Sequence, residues 1–391
     1  MKEVKFGIVG MGNQGSHYAR LLTEGKINNA VLACVCDNNS VKLENAKKNF
    51  ANVEYFAEYA AMLDSKKCDA VLVETPHYQH PEIVIECLKR GLHVICDKPA
   101  GVYTKQVREM NEYAKKSNVK FAMMFNQRTN CVYRKMREII ASGEIGEFQR
   151  MTWIITDWYR TQAYYDGGSW RATWAGEGGG VLINQCPHQI DLVQWVIGKM
   201  PKKVHGFCHY GKWHDIEVED DVTAYFEYEN GATGVFITTT GEAPGTNRFE
   251  VSGSKGKLVC EGDQLIWYKN ERDSIEVSKT SEKGFDTPKC ERIIVETDGK
   301  NPQHAGIINN FVASILGTEE MFVQGVEGIN GVELMNAIEL SGWKGGSEVI
   351  LPVNEEEYLN ELNKRRATSR LKVGGDDKIA DMSSTFGSKL K

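Results

Sequence analysis

The segment Gly10-Met11-Gly12-Asn13-Gln14-Gly15 is the most informative stretch of this chain for its fold. It follows an apolar run at residues 5–10 and opens a segment with helical patterning. Glycines at this spacing allow a tight turn, a close approach of the backbone to a pyrophosphate and close packing of the helix, whose N-terminus offers N–H groups to an anion. The motif therefore predicts a dinucleotide site contacted by Gly10, Gly12, Asn13, Gln14 and Gly15.

The first 125 residues alternate apolar runs with helical patterns. This alternation predicts a parallel sheet with helices on both faces, and continuous apolar strands are typical of a sheet that is covered on both sides. We therefore predict an α/β Rossmann domain at residues 1–125. Its strands are expected at residues 5–10, 31–36, 69–75, 93–97 and 120–125.

The pattern changes from residue 126 onward. Apolar segments then follow one another closely, and Asn230-Gly231 and Gly262-Asp263 are hairpin signals. Closely spaced strands without helical crossovers predict an α+β C-terminal domain at residues 126–362, with an open, mainly antiparallel sheet that leaves one face free of helices. The expected strands include residues 148–159, 222–228 and 233–240, and the expected helices cover residues 130–142, 180–197, 303–316 and 326–343.

Residues 363–391 are expected to form a basic tail, because they contain eight Lys or Arg against three Asp and few large apolar side chains. Such a segment is either solvated or lies as an arm on a neighbouring subunit.

Composition narrows the class of protein. The chain has 391 residues, of which 41% are hydrophobic and 26% charged, as expected of a globular protein with two domains. The net charge of -6 argues against a nucleic-acid partner. No apolar stretch reaches the roughly 20 residues needed to cross a bilayer, so we expect a cytoplasmic protein without a membrane partner. The ten cysteines include no CxxC pair, which favours core thiols over a disulfide framework or a metal site.

Asp37 ends the second predicted strand. A carboxylate at this position can accept hydrogen bonds from both ribose hydroxyls of NAD, and it would repel the 2′-phosphate of NADP. The residues that follow, Asn38 and Asn39, provide no Arg to hold such a phosphate. The predicted cofactor is therefore NAD, with Asp37 as its ribose contact.

Two further segments follow the third and fourth strands of the predicted sheet: Thr75-Pro76-His77-Tyr78-Gln79-His80 and Asp97-Lys98-Pro99. Together with the glycine motif they resemble the glucose-fructose oxidoreductase/inositol dehydrogenase (Gfo/Idh/MocA) family, which has a T-P-x-x-x-H and an E-K-P segment at these places. The resemblance covers nearly the whole chain, including Gly178-Gly179-Gly180, His188 and Asp191. It implies that the free sheet face assembles a dimer or tetramer. It also implies cofactor contacts by Thr75, Pro76, His80 and Lys98.

The same resemblance implies the catalytic groups. Lys98 lies at the carboxyl end of a strand, where ligands bind in doubly wound sheets, and it is expected to contact the reacting alcohol together with His188. Family members commonly have Asp where this chain has Asn184. Because Asn cannot take up a proton, Asn184 is expected to orient a substrate hydroxyl by hydrogen bonding. Arg128 either contacts the substrate at the domain junction or forms a structural ion pair, and Asp191 is equally open to a catalytic or a structural role.

Aromatic and Arg residues crowd the segment before the glycine run. Aromatic faces suit the C–H faces of a pyranose, and Arg and Tyr offer donors to its hydroxyls. The segment resembles bacterial family members that oxidise glycosides at sugar carbon 3. The residues predicted to bind the sugar are Trp158, Tyr159, Arg160, Tyr165 and Trp174.

The predicted function is reversible oxidation of a secondary alcohol of a sugar, at carbon 3 of a glycoside. NAD would take the hydride, while His188 accepts the hydroxyl proton and Lys98 holds the oxygen, or the two exchange these roles. Three alternatives stay open: an inositol or anhydrosugar dehydrogenase, a redox-neutral glycosidase that retains NAD, and a non-catalytic NAD-binding sensor. The intact Lys98 and His188 argue against the sensor.

Overall fold

The computed structural model describes residues 3–370, which contain fifteen strands and twelve α-helices. The strands are β1 Val4–Val9, β2 Ala30–Cys36, β3 Glu54–Phe56, β4 Ala70–Val73, β5 His93–Cys96, β6 Phe121–Met123, β7 Phe148–Ile155, β8 Lys203–Tyr210, β9 Glu219–Glu227, β10 Thr233–Thr239, β11 Asn247–Gly253, β12 Gly256–Glu261, β13 Gln264–Asn270, β14 Cys290–Ile294 and β15 Val349–Ile350.

The helices are α1 Asn13–Thr23, α2 Ser40–Asn49, α3 Tyr59–Asp64, α4 His80–Lys89, α5 Thr104–Lys116, α6 Cys131–Ala141, α7 Gln162–Asp166, α8 Pro187–Ile197, α9 Ser274–Thr280, α10 Gln303–Ile315, α11 Gly328–Trp343 and α12 Glu355–Ala367. Short 3-10 helices lie at His77–Gln79, Asn126–Thr129 and Gly325–Glu327.

The first sheet is parallel and has the strand order β3-β2-β1-β4-β5-β6. Its central strands are apolar on both faces because helices cover both sides, and every residue of β4 is buried. The five strands expected from the apolar runs are all present, which confirms the Rossmann fold. The edge strand β3 was not anticipated, since it has three residues, none of them fully buried.

The second sheet is mixed and mostly antiparallel, in the order β14-β13-β12-β11-β7-β10-β9-β8-β15. Only one of its pairings in the described chain, β7 with β10, is parallel. Both predicted hairpins are confirmed, joining β9 to β10 and β12 to β13. The sheet keeps two edges, so the predicted open α+β architecture is confirmed.

One face of this sheet carries the core of the second domain. Trp153 is fully buried there and stacks on Phe249 with ring centroids 4.2 Å apart. Helix α11 packs against β8 and α8, and α6 packs against α8. Alternate strand residues point to the opposite face, where Phe207 is 52% exposed and Tyr225 and Ile237 are half-buried.

Three predicted boundaries were wrong. The helix expected at residues 180–197 begins only at Pro187, because the Glu219 carboxylate accepts the N–H groups of Gly180 and Leu182 and holds residues 180–186 in turns. The strand expected at residues 148–159 ends at Ile155. Helix α12 continues through Ala367, past the point where the tail was expected to begin. The rest of that predicted tail, residues 371–391, lies outside the described residues.

Candidate functional site

The glycine loop leaves space for a ligand at one position and requires glycine at two others. Gly10 has φ +98°, and a Cβ at this position would lie 2.4 Å from the carbonyl oxygen of Glu74. A Cβ on Gly15 would lie 1.9 Å from the carbonyl oxygen of Gly10. A Cβ on Gly12 would meet nothing within 4 Å. The open side of the loop therefore lies at Gly12, where α1 begins at Asn13, and this is where a pyrophosphate fits.

Asp37 closes the far side of this loop. Its Oδ2 accepts the N–H of Met11 at 2.7 Å, and its Oδ1 accepts the N–H of Asn39 at 2.8 Å. The carboxylate thus lies at the end of β2 directly beside the glycine loop, and its charge fits the two hydroxyls of a ribose. Both observations fit NAD.

The T-P-x-x-x-H segment is held together by its histidine. In His80, which is 1% exposed, Nδ1 lies 2.7 Å from the Pro99 carbonyl oxygen and Nε2 2.7 Å from the Thr75 carbonyl oxygen. The structure therefore uses both ring nitrogens of His80 to join the loops after β4 and β5. This geometry favours an indirect role, in which His80 positions Thr75, Pro76 and the Lys98 loop.

Glu74 is a buried acid in the crevice that the sequence analysis missed. Neither carboxylate oxygen has a hydrogen-bond partner among residues 3–370, and both are shielded from solvent. Burial, followed by the neighbouring Asp97 charge, raises the pKa of Glu74 well above its usual range. An acid directly after an apolar parallel strand was the available signal. Glu74 therefore favours its neutral, protonated form beside Asp97.

Lys98 joins the two halves of the site. Its Nζ donates a hydrogen bond of 2.9 Å to the backbone carbonyl of Asn184, which belongs to the turn before α8. Burial lowers the pKa of Lys98, while the carboxylates of Asp97 and Glu177 raise it. The structure thus places a half-buried ammonium at the carboxyl end of β5, facing the second domain.

Asn184 lies at the centre of a hydrogen-bond network. Its Nδ2 donates to Glu177, and its Oδ1 accepts from Gln185 Nε2 at 3.2 Å and from the Tyr164 hydroxyl at 3.3 Å. Glu177 is 2% exposed. The sequence analysis anticipated Asn184 but missed the roles of these three partners, although Glu177 immediately precedes the glycine run.

His188 is the second residue of α8, and its buried Nδ1 has no hydrogen-bond partner among residues 3–370. Burial, with the charges of Lys98 and His304, lowers its pKa well below the usual range. The imidazole is therefore neutral at physiological pH, with one ring nitrogen carrying a lone pair. His304 lies beside the first helix of the Rossmann domain. Its Nε2 is 3.1 Å from Nε2 of Gln14, which belongs to the helix that follows the glycine loop.

Two family models match this chain. Residues 4–125 match the oxidoreductase family with an NAD-binding Rossmann fold, and residues 133–259 match the GFO/IDH/MocA C-terminal domain. The chain belongs to the Gfo/Idh/MocA family of oxidoreductases. Its first domain is an NAD-binding domain, which confirms the predicted cofactor.

Among its relatives, the myo-inositol 2-dehydrogenase of Thermotoga maritima is 25% identical over 66% of this chain and 75% of that protein. The D-glucoside 3-dehydrogenase of Escherichia coli K12 is 28% identical over 52% of this chain and 61% of that protein. Among solved structures, the WlbA dehydrogenase of Chromobacterium violaceum, in complex with NADH and UDP-GlcNAcA, has a TM-score of 0.77 at 25% identity, covering 90% of this chain and 97% of the other.

Arg128 does not extend toward the Lys98 network of this Gfo/Idh/MocA protein. It is 1% exposed and makes a bidentate ion pair with Asp191, at 2.7 and 2.6 Å, and a further contact with Glu327. All of its charge is compensated by these acids. Of the two alternatives left open for Arg128, this geometry favours the structural ion pair over the substrate contact, and it favours a structural role for Asp191.

The aromatic segment divides into core and site residues. Tyr165 is 3% exposed and donates to Thr240 at 2.7 Å, and Trp174 is 5% exposed and packs edge-on against Trp343. These two predicted sugar contacts are therefore core residues. Tyr159, at 52% exposed, lies at the surface.

Tyr164 and Arg171, which were not selected from the sequence, line the network instead. The Arg171 guanidinium lies 4.9 Å from the ring centroids of both Tyr164 and Trp170, and it donates to the Tyr164 hydroxyl at 2.9 Å. Arg160 lies 5.2 Å from the Tyr164 ring and 5.8 Å from that of Trp158. The Tyr164 hydroxyl connects this aromatic and cationic surface to Asn184.

In the described part of the chain, no helix is long and apolar enough to span a membrane. The same residues contain no group of His, Cys, Asp or Glu arranged to hold a metal ion.

Proposed function

We propose that this protein is an NAD-dependent dehydrogenase that reversibly oxidises a secondary alcohol of a sugar, at the carbon 3 hydroxyl of a glycoside. The observation that carries the proposal is the Lys98 hydrogen bond to the Asn184 carbonyl at 2.9 Å, with the neutral His188 four positions further along. A cation, a proton acceptor and an NAD-binding loop are the groups that alcohol oxidation requires. Relatives named myo-inositol 2-dehydrogenase and D-glucoside 3-dehydrogenase support a polyol or sugar substrate.

In this reaction NAD, when bound, supplies the hydride acceptor. His188, as a neutral imidazole, takes the proton of the substrate hydroxyl on one of its ring nitrogens. Lys98 remains an ammonium and stabilises the negative charge that develops on the oxygen as the C–H bond breaks. The products are a keto sugar, NADH and one proton, so the electrons balance.

The surface of Tyr164 and Arg171 supports a sugar as the substrate. A tyrosine ring beside a guanidinium offers a flat apolar face and several donors at one place, which suits a pyranose ring with its hydroxyls. The network from the Tyr164 hydroxyl through Asn184 to Glu177 would hold the sugar in register with Lys98.

The test is a substrate panel of glucosides, inositols and anhydrosugars, incubated with the purified protein and NAD. NADH absorbance reports oxidation, and release of p-nitrophenol from p-nitrophenyl glucosides reports cleavage. We expect NADH formation with glucosides and no aglycone release. If NADH forms only with inositols, the substrate is an inositol and not a glucoside. Aglycone release without net NADH formation would show a redox-neutral glycosidase instead of a dehydrogenase. If neither signal appears although NAD is bound, the protein acts as a non-catalytic sensor.

A homo-oligomer is also proposed. Phe207 is exposed and Ile237 is half-buried on the outward face of the second sheet, and an apolar surface of this kind favours association. Light scattering on the purified protein should give at least twice the monomer mass of 43.9 kDa.

A further inference from the structure

Glu177 is a fully enclosed carboxylate at the substrate side of the site. Its Oε2 accepts the N–H of Ala172 at 2.6 Å, and its Oε1 accepts from the side-chain amide of Asn184. Both oxygens thus face N–H donors, an arrangement that favours the ionised form. Its backbone carbonyl lies 3.1 Å from His77 Nδ1, so the residue is held from both ends.

The backbone around Glu177 is shaped to turn this acid inward. Gly178 has φ +89°, and a Cβ there would lie 2.4 Å from a Val102 methyl group. A Cβ on Gly176 would lie 2.5 Å from the Trp170 carbonyl oxygen. Glycine is therefore required on both sides of Glu177. The only large side chain in this three-residue stretch is the buried acid itself.

We infer that Glu177 supplies, through Asn184, the negative charge of the substrate site, and that it is a positioning residue that orients the Asn184 amide and keeps Lys98 cationic. The inference deepens the proposed function and rests on it for the role of Lys98. Asn184 transmits the effect, because its Nδ2 is bound to Glu177 while its backbone carbonyl accepts from Lys98 Nζ.

The orientation of the Asn184 amide follows from the charge of Glu177. An amide presents a donor and an acceptor at its two ends, and only the NH2 group can face a carboxylate favourably. The Asn184 oxygen is therefore directed toward the donors of Gln185 and Tyr164. With a neutral Glu177 this preference would weaken. A substrate hydroxyl would then meet either the NH2 group or the oxygen of the Asn184 amide.

Charged and titratable groups surround Lys98 on both sides. Asp97, Glu74, His77 and His80 face it from the first domain, and Glu177, Arg171, Cys186, His188 and His304 face it from the second. Burial lowers the pKa of Lys98, and Asp97 and then Glu177 are the largest influences that raise it. Neutralising Glu177 removes one of these two carboxylates and makes Lys98 easier to deprotonate.

Glu177 has its own set of neighbours. Burial raises its pKa, while Arg171, the Ala172 N–H, Asn184 and Lys98 lower it. Glu219, behind the glycine run, is a second buried acid; burial raises its pKa to about 7, and the charge of Glu177 adds a smaller contribution in the same direction. Burial is the largest influence and leaves the pKa of Glu177 above its usual range, while the nearby cations and donors oppose this rise and favour the carboxylate that the inference requires.

An exchange of charge between the two partners tests the inference. Glu177→Gln should lower kcat by at least ~10-fold while NAD affinity stays unchanged, and Asn184→Asp should also be impaired because two carboxylates then face each other. In the double variant Glu177→Gln/Asn184→Asp, the new amide can donate to the new carboxylate and one negative charge is retained. Activity should return to within ~5-fold of wild type, since groups in direct contact couple strongly.

A second readout does not need the substrate. The reaction of Lys98 with a small amine-modifying reagent, measured by peptide mass spectrometry across pH, reports its protonation. We expect the midpoint to move to lower pH in Glu177→Gln and to return in the double variant. Glu261→Gln is the matched control, since Glu261 pairs at the surface with Arg248 and should leave the midpoint unchanged.

Losses that multiply in the double variant, with an unmoved Lys98 midpoint and unchanged melting temperatures, would overturn the inference. If Glu177→Gln fails to fold, the double variant alone can be used. A folded double variant whose Lys98 midpoint equals that of wild type supports the inference, and a shifted Lys98 midpoint opposes it. If no sugar is oxidised by wild type, the proposed function fails, and the Lys98 midpoints still decide whether Glu177 controls this cation.

Discussion

Lys98 Nζ and the carbonyl oxygen of Asn184 lie 2.9 Å apart, although Lys98 follows a strand of the first sheet and Asn184 precedes a helix of the second domain. This hydrogen bond joins the NAD-binding domain to the second domain at the candidate site. A carbonyl oxygen accepts without neutralising the charge, so the ammonium keeps donors for a second acceptor such as a substrate oxygen.

Lys98→Met keeps the apolar stem and deletes the charge, so turnover should fall by at least ~100-fold while NAD still binds. His188→Asn should act in the same way. Because the two groups are proposed to act on one hydroxyl, the double variant should lose much less than the product of the single losses. Steady-state kinetics with NADH fluorescence titrations measure both effects, and strictly multiplicative losses would contradict a shared hydroxyl.

Cofactor preference should depend on Asp37. Wild type should bind NAD more tightly than NADP, because the carboxylate accepts the ribose hydroxyls and repels a 2′-phosphate. Asp37→Asn keeps an oxygen for the Met11 N–H and removes the charge, so the preference should narrow by about 10-fold or more, chiefly through improved NADP binding. Fluorescence titration with both cofactors provides the measurement, and tighter NADP binding by wild type would show the assignment to be wrong.

Two adjacent tyrosines give a matched pair of variants. Tyr164→Phe removes the hydroxyl that joins Arg171 to Asn184, so KM for the sugar should rise several-fold, within the ~0.5–1.5 kcal/mol that is typical of a hydrogen bond. Tyr165→Phe removes a buried bond to Thr240 and should lower the melting temperature with an unchanged KM. If the kinetic effect follows Tyr165 instead, the division of this segment into core and site is wrong.

Stability should fall as the pH drops below neutrality, and His304 should contribute to the loss. Burial lowers the pKa of His304 from 6.5 to about 3, so between these values the unfolded chain binds a proton that the folded chain refuses. Each pH unit in this window costs up to about 1.4 kcal/mol of the free energy of unfolding. His304→Gln should therefore lose less stability than wild type between pH 7 and pH 5, as measured by urea unfolding. Parallel losses in both proteins would contradict the prediction.

Local pattern was sufficient for most of the fold. Apolar runs, a glycine motif and two hairpin turns are read from neighbouring residues, because strand and turn preferences act over short distances. The same is true of the ends of strands, which is why the sequence alone points to Lys98 and Asp37. The positions of Asn184 and His188 in the site came from family resemblance, and folding places Asn184 against Lys98.

Non-local contacts settled the irregular segment between β7 and α8. Tyr165 and Trp174 could not be told from Tyr164 and Arg171 by residue type, because all four are suited to a sugar. Their directions depend on which distant strand or helix they meet. Tyr165 is hydrogen-bonded to Thr240 in the core, and Trp174 packs there against Trp343.

The partners of buried charged residues also could not be predicted from the sequence. A sequence pattern does not say whether an acid is solvated or enclosed, so the sequence analysis did not select Glu177 and left Arg128 open between a substrate contact and a structural ion pair. Folding places Asp191 against Arg128 and Asn184 against Glu177, across 63 and 7 positions of the chain. Desolvation makes each such charge dependent on its partner, and that partner is chosen by the packing of whole elements rather than by the residues on either side.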